Sequence, residues 1–315
     1  MTTTTSILSA PVQQSFSYKL LSVPTPRLIY GIPAMLKRMP RNGGTTYRMR
    51  RYNPLDTATV PLGNTSVTPP AQQLTAVDID AHISFYGTYI AISEQVSLTS
   101  QDPVLNEAAQ RLGVSLRMTE DELTREMLKS TASSINATGG VNSDNPSEIT
   151  RSDVDTIIRT LADADCKTIG ESIEGEDKFG TSPVRDAYFA LGSTKLIGDL
   201  EQVNGFIAKA QYPNQATTLS SEWGSISNLR FLLSSVGSKS ESSSNLGNDV
   251  YNITCVGLEA YCIVEQDGYS SQFLYRPPIY SGPLALHCEV GYKLAQAPRI
   301  TNDAWVINLR TTLAA

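Results

Sequence analysis

One short stretch of this sequence gathers residue types that do chemistry: Asp78, Asp80, His82 and Ser84 alternate with apolar residues from Val77 to Phe85. Alternation by two places all four on one face of a β-strand, where they could serve as metal ligands or as an Asp-His-Ser hydrolytic set. The spacing argues against both. Same-face neighbours on a strand stand about 6.8 Å apart, so Asp78 and His82 are separated by about 13 Å, whereas metal ligands converge to within about 2.1 Å of one ion. A triad likewise needs hydrogen-bond contact. What remains is a solvated strand face. His82 and His287 are the only histidines, which leaves general acid–base chemistry at neutral pH few candidates.

Cys255, Cys262, His287 and Cys288 contain no paired CxxC spacing, so together with Cys166 the cysteines read as small buried hydrophobes of a reducing compartment before they read as a zinc site. Walker A, GxGxxG, HExxH and GxSxG patterns are absent. Glu222 and Arg230 bracket Trp223, Gly224 and Phe231 in the otherwise neutral LSSEWGSISNLRFLLSS, and they read as a structural ion pair between adjacent strands ahead of a catalytic pair. No catalytic residue, cofactor or metal is expected.

Charge is distributed unevenly. The first fifty-five residues hold Lys19, Arg27, Lys37, Arg38, Arg41, Arg48, Arg50 and Arg51 and no acid; the other 260 hold 17 basic against all 31 acidic side chains, a net of −14. Copies of such a chain should attract head to body. A basic arm for nucleic acid is the competing explanation, but a strongly acidic body repels phosphate, so self-association is favoured. No apolar run approaches the roughly 20 residues that span a bilayer, and the N-terminus lacks the basic-then-apolar order of a secretory signal, so a soluble, non-membrane protein is expected.

The elements follow from pattern. Residues 1–26, rich in Thr, Ser, Gln and Pro, read as an arm that reaches about 85 Å when extended. Thr45 to Tyr52 and Val77 to Phe85 read as the strands of a long hairpin, and a phase change to Ile90 and Ile92 suggests a bulge at Tyr86-Gly87. Asp102-Pro103 should start a helix whose stripe is Leu105, Ala109, Leu112, Leu116, Leu123 and Met127; a second start at Thr119 with Glu122 is possible, but the unbroken period favours one helix over 103–130, about 40 Å long. Ser152 with Asp155 should cap a helix carrying Val154, Ile157, Ile158 and Leu161, and a short helix should follow Thr194. Strands are expected at 229–233, 253–256, 261–264, 284–294 and 304–309, with a turn at Asp267-Gly268 and a solvated loop over 237–249.

In detail this order resembles the major capsid proteins of N-four-like tailed phages, which adopt the Hong Kong 97-type coat fold. The resemblance runs through RMRRYNPLDTATVPLGNTSVTPP, FYGTYIAISEQVSLTSQDPVL, TSPVRDAYFALGS, SSEWGSISNLRFLLSS, VYNITCVGLEAYCIV and NDAWVINL. It departs from the pattern at Glu94, Trp223 and Asn228. The resemblance implies an α+β chain with an N-terminal arm over 1–35, an E-loop hairpin over 36–90, a P-domain over 91–151 with its spine helix, an A-domain over 152–284 and returning P-domain strands over 285–315. It also implies a virion shell protein with no active site, assembled in the bacterial host cytoplasm into hexamers and pentamers around double-stranded DNA that it binds without sequence specificity. Scaffolding, portal and decoration proteins are the implied partners. In such shells the E-loop lies across a neighbour, so Lys37, Arg38, Arg41, Arg48, Arg50 and Arg51 are expected to meet Glu120, Asp121, Glu122 and Glu126 of the next copy's helix, even though Arg111, Arg117, Arg125 and Lys129 partly screen those acids. A non-capsid virion protein using the same hairpin, an enzyme built on Glu222 or Asp80, and a nucleic-acid-binding module are the other readings.

Overall fold

Alternating and continuous apolar patterns build two different sheets in this chain. The computed structural model describes residues 25–57, 71–99, 104–130, 133–139, 144–170, 186–212, 218–268, 271–277 and 286–313. In chain order they form β1 (Met35–Met39), β2 (Thr46–Tyr52), β3 (Ala76–His82), β4 (Ser84–Ser93), α1 (Glu94–Thr99), α2 (Val104–Lys129), β5 (Ser134–Asn136), α3 (Arg151–Asp163), β6 (Tyr188–Ser193), α4 (Ile197–Gln202), β7 (Phe206–Ala208), β8 (Glu222–Ile226), β9 (Leu229–Ser234), β10 (Val250–Val256), β11 (Tyr261–Gln266), β12 (Ser271–Arg276), β13 (His287–Ile300) and β14 (Val306–Thr312).

The first sheet is organised by the fourteen-residue β13. One edge of β13 pairs β4 from Ser93 to Ser84; the other pairs β12 and then β11, and β1 joins β11 in parallel. β11 and β12 run in the same direction along one edge, interrupted by an excursion at Asp267-Gly268, so the expected turn there does not end the strand. Leu112 and Leu116 of α2 pack on Val290 and Tyr292 of β13. Burial of leucines in this way is worth about 1.5–3 kcal/mol each.

The second sheet has the order β5-β14-β10-β6-β9-β8-β7. β6, β9 and β10 are buried at every position, because α3 with Leu196 and Leu200 covers one face and the end of α2 with Ile29, Tyr30 and Tyr261 covers the other. Strands covered on both sides need no polar alternation, which is why FLL and ITCV read as continuous runs. Val154, Ile157 and Leu161 of α3 with Leu196 and Leu200 fill one face, and Leu128 of α2 reaches Phe189 and Leu191 on the other.

The hairpin β2–β3 is a two-stranded sheet of its own, from Thr46↔His82 to Tyr52↔Ala76. Tyr47 and Met49 fold back with Ala81 and Ile83 onto Cys262, Val264, Ala295 and Ala297 of the first sheet.

Several expectations are corrected. Pairing of β4 with β13 is continuous through Tyr86-Gly87, so there is no bulge there; the change of phase comes at buried Ile83, whose N–H leaves the ladder for Thr45 O (2.9 Å) as the chain passes from one sheet to the other. Thr150, not Ser152, caps α3: its N–H and its hydroxyl both donate to Asp153 (3.0 and 2.7 Å), because the helix starts one turn sooner than its apolar stripe. The buried line of α2 passes Ala108, Leu112 and Leu116 and then Asp121, Thr124 and Leu128, leaving Leu123 and Met127 half-buried. The C-terminal half of the helix has a different partner, the second sheet, and so presents a different stripe.

Sheet membership does not run in chain order. β1 and β11 belong to the first sheet, while β14 pairs β10 in the second. The stretch up to residue 24, the Asp102-Pro103 start and the strand start at Leu284 lie outside the described residues.

Candidate interaction surface

The face bearing Asp78, Asp80 and His82 is exposed, and each group on it is answered across the hairpin. In an antiparallel pair, residues directly opposite share a face. Arg48 lies opposite Asp80 and Arg50 opposite Asp78, and each guanidinium meets both carboxylate oxygens, at 2.7 and 2.8 Å and at 2.7 and 3.1 Å. Thr46 Oγ1 and His82 Nδ1 share a hydrogen bond of 2.9 Å. The hydrogen bonds from Arg50 and Arg48 hold the Asp78 and Asp80 carboxyls below the usual carboxylate range. Arg48 and Arg50, expected to reach a neighbour's acids, are thus engaged within their own hairpin. Sequence order hid this because the partners lie about thirty residues apart and only the register aligns them.

Of the remaining basic candidates, Arg41 donates to Asp267 O (3.3 Å) and Arg51 to Thr301 O (3.3 Å). Among the described residues Lys37, Arg38, Arg41 and Arg51 have no ion-pair partner, so these four carry the hairpin region's uncompensated positive charge.

The acidic candidates on α2 separate in the same way. Glu120 pairs with Arg117 (2.8 Å), and Glu122 and Glu126 share Arg125 (2.8 Å each). Asp121 is a correction: it is buried, and it accepts the backbone N–H of Tyr30 (2.8 Å) and of Ile29 (3.4 Å), so no neighbour reaches it. Burial pushes its carboxyl above the usual range in spite of those donors. Its place on the 121/124/128 line of α2 was the available signal.

Glu222 and Arg230 sit on neighbouring strands β8 and β9 and are joined by two contacts of 2.8 and 2.5 Å. Tyr212 Oη (3.1 Å) and Leu219 N (3.2 Å) complete the carboxylate's shell. Trp223 is the extra residue of a bulge between Glu222 and Gly224, which turns its ring outward while Glu222 stays inside. With both side chains buried, the cluster acts as a packed polar joint between β8 and β9. Cys255 lies in the second sheet's core and Cys262 in the first's, where burial pushes their thiols up to about 12 and about 11; Cys288 and His287 are on β13. Among the described residues no cluster of His, Cys, Asp and Glu is arranged to hold a metal ion.

What the surface does offer is apolar. The hairpin covers Cys262, Val264, Ala295 and Ala297 of the first sheet; farther along β13 a groove of about 730 Å³ lies open. Phe85, Tyr89 and Leu274 form its walls, with Phe85 64% and Tyr89 68% exposed. Gly291 is part of its floor because a Cβ there would meet Thr88 O and Tyr89 Cβ, each at 2.8 Å. A second apolar set, Tyr52, Leu55 and Leu74, is exposed at the far end of the hairpin. Contiguous apolar surface of this kind marks association sites. Sequence reasoning missed the groove, since β12 was not foreseen and Phe85 was counted on the hairpin's inner face.

Among the described residues no helix is long and apolar enough to cross a membrane. No protein-family model matches the chain, and no curated protein does. Solved structures do match. The head structure of Helicobacter pylori bacteriophage KHP40 is similar with a TM-score of 0.69 at 12% identity, over 99% of this chain and 97% of that one. The capsid of Ralstonia phage GP4 gives 0.68 at 14% identity over 97% and 96%, and the cyanophage Pam1 capsid 0.68 at 12% over 98% and 98%. The likeness establishes the fold: this is an α+β chain with the Hong Kong 97-type coat architecture of tailed-phage capsid proteins.

Proposed function

We propose that this chain is a major capsid protein, copies of which tile the icosahedral shell of a tailed double-stranded DNA bacteriophage. The observation that carries the reading is coverage: the chain and the phage capsid chains match over nearly the whole length of both. The exposed apolar groove and hairpin end supply what a shell subunit needs, a donor and an acceptor on one chain, which generate head-to-tail rings of copies. In this reading the β2–β3 hairpin is the E-loop that lies on the next copy, α2 is the spine helix, and the second sheet is the core of the A-domain. Lys37, Arg38, Arg41 and Arg51 are the cations left to meet the neighbour's Glu120, Glu122 and Glu126.

Hexamers and pentamers, scaffolding, portal and decoration partners, enclosed DNA held without sequence-specific contacts, and assembly in the host cytoplasm belong to the same proposal. A structural rather than enzymatic role fits the ion pairing of Asp80 across the hairpin and of Glu222 in the interior. Electron microscopy of the purified protein, alone and with its scaffolding partner, tests it. Closed particles or hexameric and pentameric capsomers are expected; a strictly monomeric species under every assembly condition overturns it.

A further inference from the structure

Tyr30 spends each of its polar groups on a different part of the fold. Its N–H donates to Asp121 in the middle of α2 (2.8 Å), its carbonyl accepts from Tyr261 Oη of β11 in the first sheet (2.5 Å), and its own Oη accepts the N–H of Ser238, in the corner that follows β9 of the second sheet (3.0 Å). Ile29 and Tyr30 are fully buried, wedged among Leu128, Phe189, Leu232 and Val306. The corner from Ser234 to Ser238 is held at two more points, once by the same segment and once by α2: Ser234 Oγ donates to Arg27 O (2.5 Å), and Arg125, one turn beyond Asp121 on α2, donates to Val236 O (3.0 Å). Behind it the corner has no slack. Gly237 lies so close to Ser193 that a Cβ would collide with its Cα, and Asn252 N donates to Ser238 O (3.0 Å).

We propose that Arg27–Gly31 is a coupling joint, with Asp121 as its fixed post, that ties α2 to the 234–238 corner of the second sheet. The segment has one packed position, because its side chains fill a close-packed interior and its polar atoms have their partners there. Moving Tyr30 removes the acceptor of Ser238 and the donor to Asp121 together, so the corner and the post respond as a unit. The coupling is a property of the single chain and holds whatever that chain binds, so it stands or falls independently of the shell reading.

Coupling of this kind is reciprocal. Amide hydrogen exchange on the full-length protein, read residue by residue, tests both directions. Asp121→Asn keeps the side chain's shape and weakens only the post; it should speed exchange at Ile29 and Tyr30 and also, by ~5-fold or more, at Ser238, which does not touch Asp121. Tyr30→Phe deletes only the acceptor of Ser238; it should speed Ser238 and also Ile29 and Tyr30. Either variant speeding only the amides whose own acceptor it altered overturns the joint. Equal acceleration throughout the β4–β13 ladder also overturns it, since the segment would then be ordinary core. Should Asp121→Asn fail to fold, Tyr30→Phe alone decides.

Discussion

Arg48 and Asp80 face one another across β2 and β3, with both carboxylate oxygens engaged by one guanidinium. Arg50 and Asp78 repeat the arrangement two residues along, so the hairpin's outer face is a ladder of internally neutralised charge. A slip of two residues in register would leave one cation and one acid unpaired. The ladder therefore fixes register more than it adds stability, since exposed ion pairs contribute little net energy.

The ladder predicts a charge-swap result. Arg48→Glu should lower amide protection in β2 and β3 and leave the global unfolding midpoint nearly unchanged, and the double variant Arg48→Glu with Asp80→Arg should restore the protection. Hydrogen exchange with thermal unfolding checks it. No recovery in the double variant would mean that Arg48 acts on something other than Asp80.

Acid should affect the two kinds of aspartate oppositely. Asp78 and Asp80 are depressed by their arginines, so the stability they contribute is present above the unfolded carboxylate value of about 4 and is lost as pH falls through their lower folded values. Asp121 is raised by burial, so its contribution grows as pH falls from its folded value toward about 4. Exchange rates corrected for intrinsic pH dependence should show hairpin protection decaying only below about pH 4, with Ile29 and Tyr30 not weakened between pH 7 and that point. Loss of hairpin protection by pH 5 would contradict it.

The pair Glu222–Arg230 is buried, with side-chain exposures of 0% and 7%. Arg230→Met should cost about 3 kcal/mol, because an uncompensated carboxylate is left inside. Glu222→Leu combined with Arg230→Met should cost less than Arg230→Met alone. Urea unfolding with an unchanged m-value measures both; a single-variant loss under about 1 kcal/mol would show that water reaches the site.

The groove makes a different demand. Phe85→Ser with Tyr89→Ser removes exposed apolar surface, so monomer unfolding should be unaffected while association is suppressed. Light scattering during assembly gives the answer, and undiminished assembly would show that the face is not used.

Much of the fold was legible because it is local. The hairpin strands, the single long α2 and the α3 stripe follow from apolar period, which acts within a turn or a strand. The ion pair of Glu222 and Arg230 was legible for the same reason, being eight residues apart around one tight turn. What the sequence could not decide was pairing between distant segments. Which acid Arg48 meets depends on register across a long loop, β14 joins the second sheet through β10, and Asp121 is inside because a backbone turn ninety residues upstream needs an acceptor there. A charged residue's sign and spacing are written in the chain, but its burial is set by which segments pack over it, and only the tertiary structure brings those segments together.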